Sequence, residues 1–138
     1  MLSVVVIGRN ESLNIPRLAE SIRALASTCD FPIESIYVDS ASTDNSAALA
    51  RDGFDKVLVL GESKHLCASA GRFTGTLEAR YPWIFYLDAD MEICTEFFPI
   101  VSQLQDLEPY FVGIIGLYIH KLDNGTSTVQ SFARLVNR

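Results

Sequence analysis

Ile84-Phe85-Tyr86-Leu87-Asp88-Ala89-Asp90 is an apolar, β-favouring run that ends at two carboxylates separated by one small residue. Side chains two residues apart in a strand leave the same face, so Asp88 and Asp90 can point at a common centre if the extended conformation continues past Leu87. Converging carboxylates repel each other unless a cation lies between them, and Mg²⁺ or Mn²⁺ completes its coordination with water and phosphate. The run predicts a metal and phosphate site or, read alone, a polar turn in which Asp90 caps the next helix.

Strand-like and helix-like segments alternate outward from this run. Apolar runs predict strands at residues 4–7, 33–38, 56–60, 83–87 and 110–120, and helical spacing predicts helices at 13–27, 42–51, 67–80 and 95–107. The turn signal Asp123-Asn124-Gly125 allows residues 126–135 to return as an antiparallel C-terminal hairpin. Continuous apolar strands separated by helices indicate a parallel sheet covered on both faces. The predicted fold class is α/β, a three-layer, doubly wound, mostly parallel sheet.

The composition limits the class of protein and its partners. A length of 138 residues with 49% hydrophobic content predicts a single globular domain. The net charge of −6, without a cluster of Lys and Arg, argues against a nucleic-acid partner. Cys29, Cys67 and Cys94 lack the spacing of a disulfide framework or a zinc site, so we expect reduced thiols.

The hydropathy pattern predicts no membrane-spanning segment and no signal peptide. The longest apolar stretch, residues 110–119, is about half of the roughly 20 residues that a bilayer requires. The short apolar run at residues 4–7 is not preceded by basic residues. We therefore expect a cytoplasmic protein, a location that includes the inner face of a membrane.

Polar residues follow three of the predicted strands at the point where each ends. Gly8-Arg9-Asn10-Glu11 follows the first, Asp39-Ser40 the second and Asp88-Ala89-Asp90 the fourth. Ligands of open α/β sheets bind outside the carboxyl ends of the strands, so these residues should share one edge. Asp39 could accept a hydrogen bond from a nucleobase imide or a ribose hydroxyl, or it could serve as a turn or capping residue.

Small residues interrupt the predicted helix at 67–80. Gly71 and Gly75 each cost about 1 kcal/mol relative to alanine in a helix, so close packing or close approach of a ligand must offset them. Arg72 lies beside them and could reach a diphosphate with its forked guanidinium. The sequence lacks a G-x-G-x-x-G motif after the first strand and a glycine-rich phosphate loop, which disfavours dinucleotide-binding and P-loop proteins.

Four motifs, taken in order and spacing, resemble the nucleotide-binding half of inverting family 2 glycosyltransferases of the GT-A fold. They are Val5-Val6-Ile7-Gly8-Arg9-Asn10-Glu11, Val38-Asp39-Ser40-Ala41-Ser42-Thr43-Asp44-Asn45-Ser46, Ala70-Gly71-Arg72-Phe73-Thr74-Gly75 and Leu87-Asp88-Ala89-Asp90. The resemblance covers residues 4 to about 107. It departs from many members in having Ser40 where they carry a second acid.

The resemblance implies a site for a nucleotide-diphosphate sugar of the UDP, GDP or dTDP type. Donor-binding residues would be Gly8, Asn10, Glu11, Asp39, Ser40, Arg72, Asp88 and Ala89. Asp90 and Asp88 would bind the divalent metal, Mn²⁺ or Mg²⁺. The implied reaction transfers the sugar to a hydroxyl of a carbohydrate or lipid-linked acceptor, with metal assistance and inversion.

Members of that family place the general base in an acceptor-binding second half, and we expect residues 1–138 to form the nucleotide-sugar-binding domain without that half. Two alternatives stay open at this stage. One is a nucleotide-binding module without catalytic activity of its own. The other is a receiver-like signalling domain, which the single acid Glu11 after the first strand disfavours.

Overall fold

The computed structural model describes residues 1–63, 66–94, 99, 113–116, 119–121, 127–129 and 133–137. Its elements are β1 Leu2–Gly8, α1 Ile15–Thr28, β2 Ile33–Asp39, α2 Ser46–Gly53, β3 Lys56–Val59, α3 Ala68–Glu78, β4 Trp83–Asp88, β5 Gly113–Gly116, β6 Ile119–Lys121, β7 Ser127–Val129 and β8 Ala133–Asn137. The helix predicted at 95–107, apart from residue 99, and the turn predicted at 123–125 lie outside the described residues. None of the helices in the described ranges is long and apolar enough to cross a bilayer.

Six strands form the main sheet in the order β3-β2-β1-β4-β8-β5. β1 runs parallel to both β2 and β4, and β2 runs parallel to β3, while β8 pairs antiparallel with β4 and β5. The chain thus moves outward from β1 through β2 to β3 and then returns to β4 on the other side of β1. This topology confirms the doubly wound α/β fold and puts its switch point between β1 and β4.

The C-terminal strands differ from the prediction. The single strand expected over 110–120 is wrong, because its residues contribute β5 to the main sheet and β6 to a separate two-stranded sheet with β7. β6 and β7 pair antiparallel, as the hairpin prediction requires, and β8 then rejoins the main sheet. Gly113 and Gly116 are the first and last residues of β5, and glycine weakens a continuous strand. A prediction made from apolar content alone overlooks these two glycines.

Helices cover both faces of the parallel strands. α1 buries the predicted stripe of Ile15, Leu18, Ile22 and Leu25 against one face, together with α2. α1 begins two residues later than predicted because the Asn14 amide donates to the Glu11 carbonyl, 2.9 Å away, in a turn that precedes the helix. The α1 side of the sheet therefore holds the larger hydrophobic core.

α3 covers the opposite face, and its glycines permit close packing. A Cβ atom at Gly71 would lie 3.0 Å from Ile7 Cγ2, and one at Gly75 would collide with Val5 Cγ1. Val5 is fully buried on β1, so it has no room to move away. These glycines could serve close packing of α3 or close approach of a ligand. The described residues show direct contacts for close packing of α3 on the sheet.

Candidate functional site

The ends of β1, β2 and β4 meet at one edge of the sheet. In the strand register, Gly8 pairs with Asp39 and Ile7 pairs with Asp88. The Ser40 amide donates to the Gly8 carbonyl at 2.8 Å, which extends the pairing of β1 with β2 by one residue. Side chains that follow these strands are thereby held beside the topological switch point.

Gly8 and Ala89 bring β1 and the residues after β4 into close contact. The Ala89 amide donates to the Ile7 carbonyl at 2.9 Å, and the Ala89 side chain is buried. A Cβ atom at Gly8 would lie 2.6 Å from Ala89 Cβ and 2.8 Å from Tyr37 Oη, so only glycine fits there without a shift. Both residues therefore shape the strand-end edge through packing; a role for them in donor binding stays a prediction.

Asp39 is a buried residue whose two carboxylate oxygens differ in their hydrogen bonding. The side chain is buried, with 1% of its surface exposed, and its Oδ2 accepts a hydrogen bond of 2.8 Å from the Ser42 amide. Oδ1 is also buried and makes no hydrogen bond with any described residue. A buried carboxylate oxygen without a donor is costly, so a ligand N–H or O–H group would stabilise this site.

Tyr37 lies on the same face of β2 as Asp39 and was not among the residues predicted from the sequence. Its ring is fully buried and stacks at an angle on Phe54, with ring centroids 5.4 Å apart. Burial raises the pKa of its hydroxyl, the charges of Asp39 and Glu11 raise it further, and the Ser46 hydroxyl opposes the shift. The phenol is therefore neutral. The sequence signal that could have identified Tyr37 is its position two residues before Asp39, because residues two apart in a strand lie on the same face.

Glu11 and Asn10 occupy the loop that follows β1. Glu11 is half-buried, and its Oε2 accepts a hydrogen bond of 2.7 Å from Asn14 Nδ2. Asn10 is exposed, and its Oδ1 accepts a hydrogen bond of 2.8 Å from the Thr43 amide. Both residues lie in the loop next to the strand-end edge, where the sequence predicted them, and their contacts are with neighbouring loop residues.

Arg72 and Asp88 form an ion pair across the gap between α3 and β4. Arg72 Nη2 lies 2.6 Å from Asp88 Oδ1, and their side chains are 37% and 39% exposed. The guanidinium thus offsets the charge of the first carboxylate of the D-x-D motif. Both groups are open to solvent, so an incoming anion or cation can compete for either partner.

Asp90 lies in a turn and not in a strand. β4 ends at Asp88, and the Met91 amide donates to the Asp88 carbonyl at 3.0 Å, which closes a turn over Ala89 and Asp90. The extended backbone that would carry both carboxylates on one face therefore does not continue to Asp90, and the polar turn of the alternative interpretation is present. The Ala89 amide still makes the parallel-strand bond to the Ile7 carbonyl, and the chain turns directly after it, which leaves the Asp90 side chain exposed.

The two aspartates suit a hard cation that takes few protein ligands. Within the described ranges, no three side chains of the metal-binding types cluster, and the Asp90 carboxylate has no hydrogen bond or ion pair. Mg²⁺ is commonly held by one or two carboxylates and by phosphate oxygens and water. The exposed Asp90 carboxylate has the chemistry that such an ion prefers, and the described residues form no complete protein cage around it.

A cavity of about 250 Å³ opens beside this edge on the α3 side of the sheet. Its lining combines the end of β1, the start of the loop after β2 and the N-terminus of α3, and consists of Ile7, Gly8, Arg9, Ser40, Leu66, Cys67 and Ala68. Its volume approaches the lower end of the range of about 300–1,000 Å³ found for small-molecule sites. The cavity thus has room for part of a ligand, and the open edge would accept the remainder.

Solved structures share this fold. S. aureus TarS (residues 1–349) is 23% identical with a TM-score of 0.62 over 76% of this chain and 32% of its own. Mannosyltransferase PcManGT from Pyrobaculum calidifontis, solved with GDP-Man and Mn²⁺, is 21% identical with a TM-score of 0.61 over 81% and 33%. Glucosyl-3-phosphoglycerate synthase from Mycobacterium tuberculosis, solved with Mn²⁺, UDP and glucosyl-3-phosphoglycerate, is 25% identical with a TM-score of 0.57 over 75% and 39%.

The chain therefore spans between about a third and two fifths of the length of these three solved chains. No curated protein sequence matches it. The sequence pattern of the family described as "Glycosyl transferase family 2" matches residues 3–134, which is nearly the whole chain. By this match and by its fold, the chain belongs to glycosyl transferase family 2.

Proposed function

We propose that the chain binds the nucleoside diphosphate of a nucleotide-sugar donor and takes part in transferring the sugar to an acceptor hydroxyl. The observation that carries the proposal is the buried Oδ1 of Asp39, at the end of the strand next to β1, which makes no hydrogen bond within the part of the chain that the structure describes. A nucleobase imide or a ribose hydroxyl would supply the missing donor. The Tyr37 hydroxyl, on the same face of β2, is neutral and adds no second negative charge near Asp39.

The diphosphate would lie towards β4 and α3. Arg72 supplies the guanidinium that can bind two phosphate oxygens at once, and the adjacent N-terminus of α3 favours an anion. Asp90 and Asp88 would hold Mn²⁺ or Mg²⁺, which when bound offsets the negative charge of the diphosphate leaving group. The structures solved with UDP or GDP-Man and Mn²⁺ support this choice of ligand.

The proposed reaction is an in-line displacement at the anomeric carbon. The acceptor oxygen forms a bond to that carbon and loses its proton to a base, while the bond from the carbon to the β-phosphate oxygen breaks and the nucleoside diphosphate departs. Attack opposite the leaving group inverts the configuration. Asp39 and Arg72 would hold the nucleoside and the diphosphate of the donor, which orients the reacting bond for attack.

Titration of UDP, GDP and dTDP by calorimetry, with and without Mn²⁺, tests the proposal. We expect at least one of them to bind more tightly with Mn²⁺, and we expect Asp90→Ala to remove most of that enhancement, because a carboxylate ligand to the metal is lost. Asp30→Ala is the matched control, since Asp30 is an exposed acid that precedes β2 at the opposite edge of the sheet. An enhancement that survives in Asp90→Ala would contradict the metal role.

Replacing Arg72 should have opposite effects on two ligands. Arg72→Met removes the guanidinium from Asp88, so Mn²⁺ alone should bind several-fold more tightly, whereas the nucleoside diphosphate should bind several-fold more weakly for lack of a cation. Arg51→Met, on the exposed face of α2, is the control. Electron paramagnetic resonance counts free Mn²⁺ directly; weaker Mn²⁺ binding in Arg72→Met would argue against competition for Asp88.

A further inference from the structure

Hydrogen bonds join the two loops that frame the strand-end edge, and we call this set of bonds the loop clamp. Its members are Asn10, Ser42, Asp44 and Ser46 with the amides that they contact. At one end the Asn10 amide donates to Ser42 Oγ at 2.9 Å, and the Thr43 amide donates back to Asn10 Oδ1 at 2.8 Å. Asn10 therefore uses its backbone donor and its side-chain acceptor to hold the loop that follows β2.

Asp44 forms the other end of the clamp. Its Oδ2 accepts from the Ser12 amide at 3.2 Å, and its Oδ1 accepts from both the amide, at 3.0 Å, and the hydroxyl of Ser46. Ser46 Oγ in turn accepts from the Glu11 amide at 2.8 Å. The carboxylate thus joins both loops to the start of α2.

The charge state of Asp44 matches this role. Hydrogen bonds lower the pKa of the Asp44 carboxyl to about 2: the hydroxyl of Ser46 contributes most, burial opposes the shift, and the Ser46 amide and Ser12 add to the lowering. Asp44 is therefore ionised at neutral pH, where it can only accept hydrogen bonds. All three of its donors are satisfied in that form.

The backbone of both loops depends on outside support. Asn10 has a φ of 58° and Ala41 a φ of 56°, in the left-handed region that non-glycine residues rarely occupy. Asparagine tolerates this conformation, but alanine has no side-chain group that compensates for it. Such conformations persist where surrounding contacts hold them in place. Here the clamp holds the residues after Ala41, and the bond from the Ser40 amide to the Gly8 carbonyl holds the residue before it.

The clamp also determines where the candidate donor-binding groups lie. Asp39 Oδ2 is held by the Ser42 amide, and Ser42 Oγ is held by Asn10, so the orientation of Asp39 depends on the clamp. The Glu11 backbone is held by Ser46. Arg72 and Asp88, by contrast, lie on α3 and β4, and none of the clamp bonds reaches them.

We propose that Asp44 is a positioning residue that orients Asp39 and Glu11 towards the nucleoside end of the donor, without contact with the diphosphate end. This inference rests on the proposed function. It separates the site into two parts, one held by the loop clamp and the other held by the ion pair between Arg72 and Asp88. A general loss of folding would affect both parts equally.

The test compares two ligands by calorimetry in the presence of Mn²⁺. One is whichever of UDP, GDP and dTDP binds most tightly, and the other is inorganic pyrophosphate, which lacks the nucleoside. In Asp44→Ala we expect the affinity for the nucleoside diphosphate to fall about tenfold, because two loops lose their fixed orientation, and the affinity for pyrophosphate to stay within about twofold. Asp44→Asn keeps one accepting oxygen and should lose less. Asp52→Ala, an exposed acid on α2, is the control.

Each outcome decides between distinct conclusions. An equal fall for both ligands would overturn the positioning role, because it would mean that the whole site is disturbed, and so would an unchanged affinity for the nucleoside diphosphate. If the unmodified chain binds pyrophosphate but none of the three nucleotides more tightly, the proposed function fails and this inference fails with it. Hydrogen exchange at the amides of Glu11 and Ser12 should accelerate in Asp44→Ala whether or not a ligand is present; unchanged exchange would overturn the clamp itself.

Discussion

Asp39→Asn should reduce the affinity for the nucleoside diphosphate about tenfold to a hundredfold, equivalent to about 1.4–2.7 kcal/mol. The substitution keeps the size of the side chain and one accepting oxygen for the Ser42 amide, 2.8 Å away. It replaces Oδ1, which makes no hydrogen bond with any described residue, by an NH₂ group. That NH₂ group would face the N–H or O–H group of the ligand, so two hydrogen-bond donors would meet without an acceptor. A buried site tolerates such a mismatch poorly because water cannot satisfy either group.

Calorimetry at neutral pH measures this effect, and thermal unfolding checks that the variant is folded. Asp30→Asn makes the same chemical change at an exposed acid before β2 and should leave the affinity unchanged. If UDP is the tightest ligand, methylation of uracil N3 separates the two possible contacts. A penalty from Asp39→Asn that disappears with the methylated ligand would assign Oδ1 to the imide, and a penalty that stays would assign it to the ribose. Equal affinities of Asp39→Asn and the unmodified chain would contradict a ligand contact.

The parallel half of this fold could be predicted because each strand is a short apolar run with an abrupt polar end. Buried parallel strands need such residues on both faces, so the runs before Gly8, Asp39 and Asp88 mark the strands and their carboxyl ends together. The edge at which these ends meet then follows from the general rule for open α/β sheets. The C-terminal strands were less predictable, because local pattern does not reveal which sheet a short antiparallel strand will join.

The residues of the candidate site could be predicted from the sequence more readily than the contacts between them. Sequence spacing predicted Arg72 near a diphosphate and Asp88 near a metal, but their ion pair depends on the distance between α3 and β4, which packing determines. Tyr37 was missed because a tyrosine in a strand is usually read as core. The sequence left Asp90 either on the strand face or in a turn, because spacing alone does not report the bond from the Met91 amide to the Asp88 carbonyl that closes the turn.

Gly75 is the residue at which helix propensity and packing make opposite predictions. Alanine is more favourable than glycine within a helix by about 1 kcal/mol, so a purely local view predicts that Gly75→Ala stabilises α3. The added Cβ would collide with Val5 Cγ1 and lie 3.3 Å from Val38 Cγ2, and both valines are fully buried on the sheet. We expect packing to prevail, with a net loss of about 1–3 kcal/mol in the free energy of unfolding, because overpacking a rigid core forces the helix away from the sheet.

Urea unfolding followed by circular dichroism measures the free energy of unfolding, and Gly61→Ala provides the matched control because no heavy atom lies within 4 Å of the Cβ position there. That control should change stability by less than about 0.5 kcal/mol. Displacement of α3 would also carry Arg72 away from Asp88, so Gly75→Ala at temperatures where it stays folded should weaken pyrophosphate binding more than Gly61→Ala does. A stabilised Gly75→Ala variant would mean that α3 does not pack on Val5 as closely as the glycine suggests.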